Sequence, residues 1–154
     1  MFSMYALLKF IHVTAAIIWV GGAIAITVLN ARLAREQDQG ALLALARQAG
    51  FYGQAVLGPA AITTLVAGIA TALTVGFPFE SLWITWGFAG VFGSILLGST
   101  FIRRTYGEMA QLIASSGPDT MRLGALQSRL WFLNLANLLL LLSTVWAMVF
   151  KPTL

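Results

Sequence analysis

The stretch LLKFIHVTAAIIWVGG, residues 7–22, decides the fold. It carries one cation, Lys9, one histidine, His12, and no acid, and with its flanks the apolar run extends from about residue 5 to residue 30. A helix rises about 1.5 Å per residue, so about 20 residues cross a hydrocarbon core of roughly 30 Å. Three further runs of this kind occur, near residues 55–76, 82–102 and 130–150. The composition agrees: 59% of the 154 residues are apolar and 9% charged, too few charges to cover a soluble globule of this size. The pattern predicts an all-α polytopic membrane protein with four transmembrane helices.

The first run lacks a basic stretch at its start, and its apolar part exceeds the roughly 7–15 residues of a signal core, so it is expected to stay as helix one. The chain has no cysteine, which excludes disulfides, thiolate metal sites and thiol catalysis. A sequence pI near 10.1 invites a nucleic-acid reading. The basic residues lie at helix ends and in connections, however, with no basic stripe interleaved with aromatics, and no nucleic-acid partner is expected. Topology explains them instead. Arg32, Arg35 and Arg47 follow the first apolar run and Arg103, Arg104, Arg122 and Arg129 follow the third, whereas residues 77–81 hold only Glu80. The positive-inside rule then puts the arginine-rich segments 31–54 and 103–129 in the cytoplasm and both termini outside, as for a multi-pass protein of the bacterial inner membrane.

The expected layout is one domain over 1–154, two helical hairpins with helices at about 5–35, 41–76, 82–114 and 120–150. Residues 41–54 and 103–114 hold good helix formers and continue helices beyond the lipid. SSGPDT at 115–120 combines a Gly-Pro stop with Asp119 and Thr120 as N-cap candidates, and GFPFE at 76–80 reads as a tight turn. Two such hairpins would have parallel topology, which excludes an inverted repeat of the transporter kind.

Small residues recur every four positions at Ala60, Thr64, Gly68 and Ala72 and again at Gly90, Ser94 and Gly98; this spacing lines a helix face and predicts packing seams. The functional alternative is a groove for a flat ligand, and Gly21 and Gly22, beside Trp19, can serve either purpose. Asn134 and Asn137, one turn apart, are expected to hydrogen-bond a neighbouring helix; with Arg103, Arg104 and Arg129 at similar depth they could instead hold an anionic lipid or a propionate.

His12 shares its face with Ala15, Ala16, Trp19, Gly22, Ala23 and Ile26. An ionisable group at membrane depth is a functional candidate, since a polar side chain in hydrocarbon is costly. An interfacial histidine bonded to water or headgroups is the other reading, and both stand open. A lone histidine cannot build a copper or zinc site, which takes three or four protein ligands, but haem iron can be held by a single axial imidazole. Met148 or Met4 would be candidates for the opposite position. Trp83, Trp86 and Trp146 read as an interfacial aromatic belt, with Trp86 stacking on a porphyrin as the alternative. With no second histidine, intramembrane carboxylate pair or phosphate loop, the chain offers no hydrolase machinery.

Lys9-Phe10-Ile11-His12, Trp19-Val20-Gly21-Gly22 and Asn30-Ala31-Arg32-Leu33, with GPAAITTLVAGI at 58–69 and Val149-Phe150-Lys151-Pro152, resemble a family of uncharacterised four-helix bacterial integral membrane proteins, a domain of unknown function. That family is similar in turn to the copper-resistance protein D membrane domain and to the bacterial membrane protoporphyrinogen oxidase. The resemblance implies haem b bound through His12, where the haem-synthesis members have their first-helix histidine. Their lysine early in helix three has no counterpart, because SLWITWGF at 81–88 contains no basic residue, which argues against porphyrinogen oxidation. One histidine, five methionines and no cysteine argue likewise against copper. Two functions are therefore expected as alternatives: a haem b protein linked to redox or haem metabolism, or a cofactor-free packing or assembly protein, homo-oligomeric or bound to a membrane-protein partner. Copper or small-solute transport is a third, which would need an oligomer to build a path.

Overall fold

Three of the four long helices begin where a short polar side chain takes up free N–H groups of the first turn. In the computed structural model, which describes residues 3–115 and 119–152, the Ser3 hydroxyl accepts from Ala6 N at 3.1 Å and the Asp38 carboxylate from Ala41 N at 2.9 Å. Asp119 accepts from Met121 N at 3.0 Å and Arg122 N at 3.2 Å, so it is the cap and Thr120 the first helical residue. Gly117 and Pro118, the expected stop, lie outside the described residues. These starts open α1 (Met4–Glu36), α2 (Gln39–Val75) and α4 (Thr120–Phe150); α3 spans Leu82–Ala114. All four helices are long and apolar enough to cross a membrane, and no strand occurs among the described residues.

At the turn after α2, Gly76 takes φ +76° and Phe77 N donates back to Ala72 O at 3.0 Å. That is a Schellman closure, whose left-handed residue favours glycine. The glycine therefore lies just past the helix rather than within it.

Neither α2 nor α3 is a regular α-helix throughout. Each contains a π-helical turn, at Gly53–Leu57 and at Leu97–Ile102. A π turn adds one residue to the helical period, so everything beyond it is rotated by about 100° relative to an unbroken α-helix.

α1 packs along α2 and α3 along α4, and the pairs meet most closely through α2 and α3, above all between Gln39–Tyr52 and Arg103–Ala114 at the arginine end. The α1–α2 contact is made by small side chains, with Ala15, Ala23, Ala60, Ala61, Ala67 and Ala72 buried. Trp19 is buried with Ala23, Ala60, Ala61, Val91 and Leu141 to form the central core. A second core of larger residues, including Tyr106, Met109, Leu123, Leu126 and Leu130, lies at the end that carries the arginines. There α2, α3 and α4 continue beyond the length a bilayer needs. Arg104 and Arg129 flank Glu108 at 3.0 and 3.7 Å, and Arg32 pairs with Glu36 at 2.9 Å.

The outside of the molecule is apolar over most of its length. Ile17, Val28, Ile62, Val66, Phe92, Leu96, Leu139 and Val149 are all exposed, an area that would not stay monomeric in water. At the end opposite the arginines, Lys151 Nζ sits 4.7 Å from the ring centre of Phe77 and 5.2 Å from that of Trp83. Those two rings meet edge to face at 5.2 Å.

Candidate functional site

Gly68 makes room for His12. A Cβ on that glycine would lie 2.9 Å from both Cε1 and Nδ1 of the imidazole, so the ring occupies the notch that the missing side chain leaves on α2. From that notch His12 Nδ1 is 2.7 Å from the backbone carbonyl of Thr64. A carbonyl only accepts, so the proton of the bond resides on Nδ1, and in the neutral ring Nε2 keeps a free lone pair. Thr64 is buried and turns its own hydroxyl back to Ala60 O at 2.8 Å, while His12 is half-buried. The seam residues Thr64 and Gly68 thus fix the direction and tautomer of the imidazole.

The other residues expected around His12 are distributed differently. Trp19 is buried in the central core, two turns further along α1. Gly22 faces Tyr52 Oη and Leu57 Cδ2, which an added Cβ would meet at 2.6 and 2.7 Å. Trp86 donates to Ser143 Oγ at 3.2 Å and remains 44% exposed. Met148 lodges its methyl against Gly87 of α3, and Thr144 fills the space over Gly90. The contacts of Trp86 and Met148 are therefore within the α3–α4 hairpin and those of His12 are with α2. Gly21 and Gly98 face open space, not a tight seam. For Gly98 the reason is the π turn it belongs to, which breaks the four-residue register set by Gly90 and Ser94.

A second polar region lies toward the arginine end, where a cleft of about 180 Å³ runs between the helices. Its lining on α3 extends from Ser94 to Tyr106, a rise of about 18 Å. Ser94 Oγ donates to Asn137 Oδ1 at 2.6 Å. One turn away Asn134 Nδ2 has no partner, nor has the Tyr106 hydroxyl, although these residues are only 5% and 2% exposed. Arg103 stands at the rim. With the Gln54 amide oriented toward it, the Gln54 oxygen accepts from Arg103 Nη1 at 3.1 Å and Nη2 at 3.3 Å. No acid lines the cleft among the described residues.

Sequence reasoning paired Asn134 and Asn137 as helix-packing residues; only Asn137 bonds across. It did not single out Tyr106 or Gln54. Gln54 belongs to the first π turn and Tyr106 lies one turn beyond the second, and no periodicity in the sequence marks a π turn.

Among the described residues no three histidine, cysteine or carboxylate side chains come together, so a multi-ligand metal site is absent there. What the helices and their surface define is a multi-pass integral membrane protein. More specifically, the chain belongs to the family described as "Predicted integral membrane protein (DUF2269)", whose model matches residues 6–152. No curated protein and no solved structure matches it.

Proposed function

We propose that this protein sits in the bacterial inner membrane, arginine end in the cytoplasm and termini outside, and that His12 binds haem b as its axial imidazole in a redox or haem-metabolic role. The observation that carries this reading is the bond from Nδ1 to Thr64 O. Metal-ligating histidines characteristically donate their other ring N–H to a carbonyl or carboxylate, which orients the ring and raises the basicity of the ligating nitrogen. The donor atom therefore fits haem, which needs no more than one imidazole. The cleft near Trp19 is too small for a porphyrin and His12 does not line it. Whatever Nε2 binds must therefore be met outside that cleft. Haem b held there would supply one-electron chemistry at its iron; the chain's own residues set the imidazole's direction and tautomer.

The experiment is an absorption spectrum, oxidised and dithionite-reduced, of protein purified in mild detergent from haem-replete cells, beside His12→Ala. A haem spectrum lost in the variant is the expected result. A colourless, well-folded wild-type protein refutes it.

A second reading, a cofactor-free oligomer or accessory subunit, is favoured by Gly21. This residue and Ala25 one turn on are exposed on α1, and nothing in the chain approaches Gly21. Small residues so placed let a second helix come close in lipid. Crosslinking in native membranes that traps a discrete assembly supports that reading; a protein found only as a monomer refutes it.

A further inference from the structure

We propose that the cleft between α2 and α3 binds the anionic phosphate headgroup of a membrane phospholipid, held by Arg103, Tyr106 and Asn134, with the start of an acyl chain along its glycine-rich wall. Three observations carry this.

The first is chemical. Asn134 Nδ2 is a donor and the Tyr106 hydroxyl can donate; both are nine-tenths or more buried, and although they neighbour each other neither makes a well-formed hydrogen bond. Leaving such groups unpaired costs about 1–3 kcal/mol each. Arg103 adds a guanidinium whose two outer nitrogens lean on Gln54, which leaves its Nε–H and further N–H groups free to bind. Donors plus one cation and no carboxylate select an anionic oxygen group, and a planar guanidinium suits phosphate oxygens.

The second is the shape of the wall. Gly53 and Gly98 both line the cleft, and a Cβ at either would meet nothing within 4 Å. These are not glycines kept small by a neighbouring helix. The space beside them is apolar, bounded by Trp19 and Ile95.

The third is access. Gln54, Ile95, Ser99 and Arg103 line the cleft and are exposed, so it opens sideways between the hairpins. α2 and α3 are connected by the turn at 76–81, and their segments Gln39–Tyr52 and Arg103–Ala114 pack together at the arginine end, so the opening beside Gln54, Ile95 and Ser99 lies on the membrane side of that contact. A lipid can enter there from the bilayer, with its headgroup at the level of Arg103 and its chain toward the membrane centre. The competing occupant is water, since about 180 Å³ is room for roughly six molecules at liquid density.

Native mass spectrometry of the full chain, released from mild detergent, tests the assignment. The probes are phosphatidylglycerol, phosphatidylcholine and inorganic phosphate, added separately. Phosphatidylglycerol retained in preference to phosphatidylcholine is the expected result, with Arg103→Gln weakening retention about fivefold, the effect of one basic residue on an anionic lipid. Gly98→Leu should fill the cleft and abolish specific retention, while Gly107→Leu, on α3 outside the cleft and equally unobstructed, should not. Equal retention of both lipids, or phosphatidylglycerol retention unmoved by Arg103→Gln, overturns the proposal. So does binding of inorganic phosphate without lipid, which would make the ligand a soluble anion, and so does a cleft that retains neither and holds water only. Should Gly98→Leu fail to fold, the Arg103→Gln comparison decides alone.

Discussion

Gly68→Ala puts the seat of His12 under direct test. The added Cβ would stand 2.9 Å from Cε1 and Nδ1 of the ring, against a preferred carbon contact of about 3.5–4.0 Å. The imidazole must then retreat by about 0.6 Å or more, which stretches its 2.7 Å bond to Thr64 O beyond good hydrogen-bond length. Losing that bond costs about 0.5–1.5 kcal/mol and the overpacking about 1–3 kcal/mol, while replacing a mid-helix glycine by alanine returns about 1 kcal/mol. The net expectation is a loss of about 1–3 kcal/mol. Gly21→Ala is the matched control, because its Cβ meets nothing within 4 Å; it should gain up to about 1 kcal/mol. The assay is thermal unfolding of both variants in one detergent, followed by tryptophan fluorescence, and the two midpoints should shift in opposite directions. In a His12→Ala background the penalty of Gly68→Ala should vanish, since the clash and the bond belong to the same ring. A Gly68→Ala protein as stable as Gly21→Ala, or a penalty that survives removal of the imidazole, would show that His12 does not occupy the notch.

Trp19→Ala should cost about 3–5 kcal/mol, because the indole is 6% exposed at the centre of the main core; the same unfolding assay reads it. Ser94→Ala should cost about 1–2 kcal/mol by leaving Asn137 Oδ1 without its donor, and adding Asn137→Leu should recover part of that, as measured in a double-mutant cycle. The chain has no cysteine, so single cysteines placed at Gln48 and Glu80 report topology. A membrane-impermeant maleimide added to whole cells should label the residue-80 position and not the residue-48 position; the reverse pattern would invert the orientation drawn from the arginines.

The readability of individual residues in the sequence depended on how local their physics is. Asp119 was legible as a cap candidate because capping is satisfied within one helical turn, and it accepts two backbone N–H groups as that pattern requires. The face shared by His12, Ala15 and Trp19 followed from helical spacing alone. Gly98 was placed on the seam with Gly90 and Ser94 by the same spacing, and there the rule failed, because an i→i+5 turn intervenes and faces the glycine into open space. Met148 was a candidate for the position opposite His12, yet the sequence does not say which hairpin a side chain packs in, and Met148 turns to Gly87.

From its sequence this chain is a four-helix membrane protein, since the length and apolarity of each run already outweigh any other environment, and a helix satisfies its backbone within itself wherever its neighbours lie. The arginine asymmetry between connections is equally a property of the chain alone. The pairing of residues far apart is not. That the N–H of His12 meets the carbonyl of Thr64, 52 positions away, and that Tyr106 and Asn134 are buried without partners beside Arg103, depends on helix rotation and approach. Those are set by how small residues and two π turns let α1 to α4 interlock, a balance among many close contacts that no local pattern encodes.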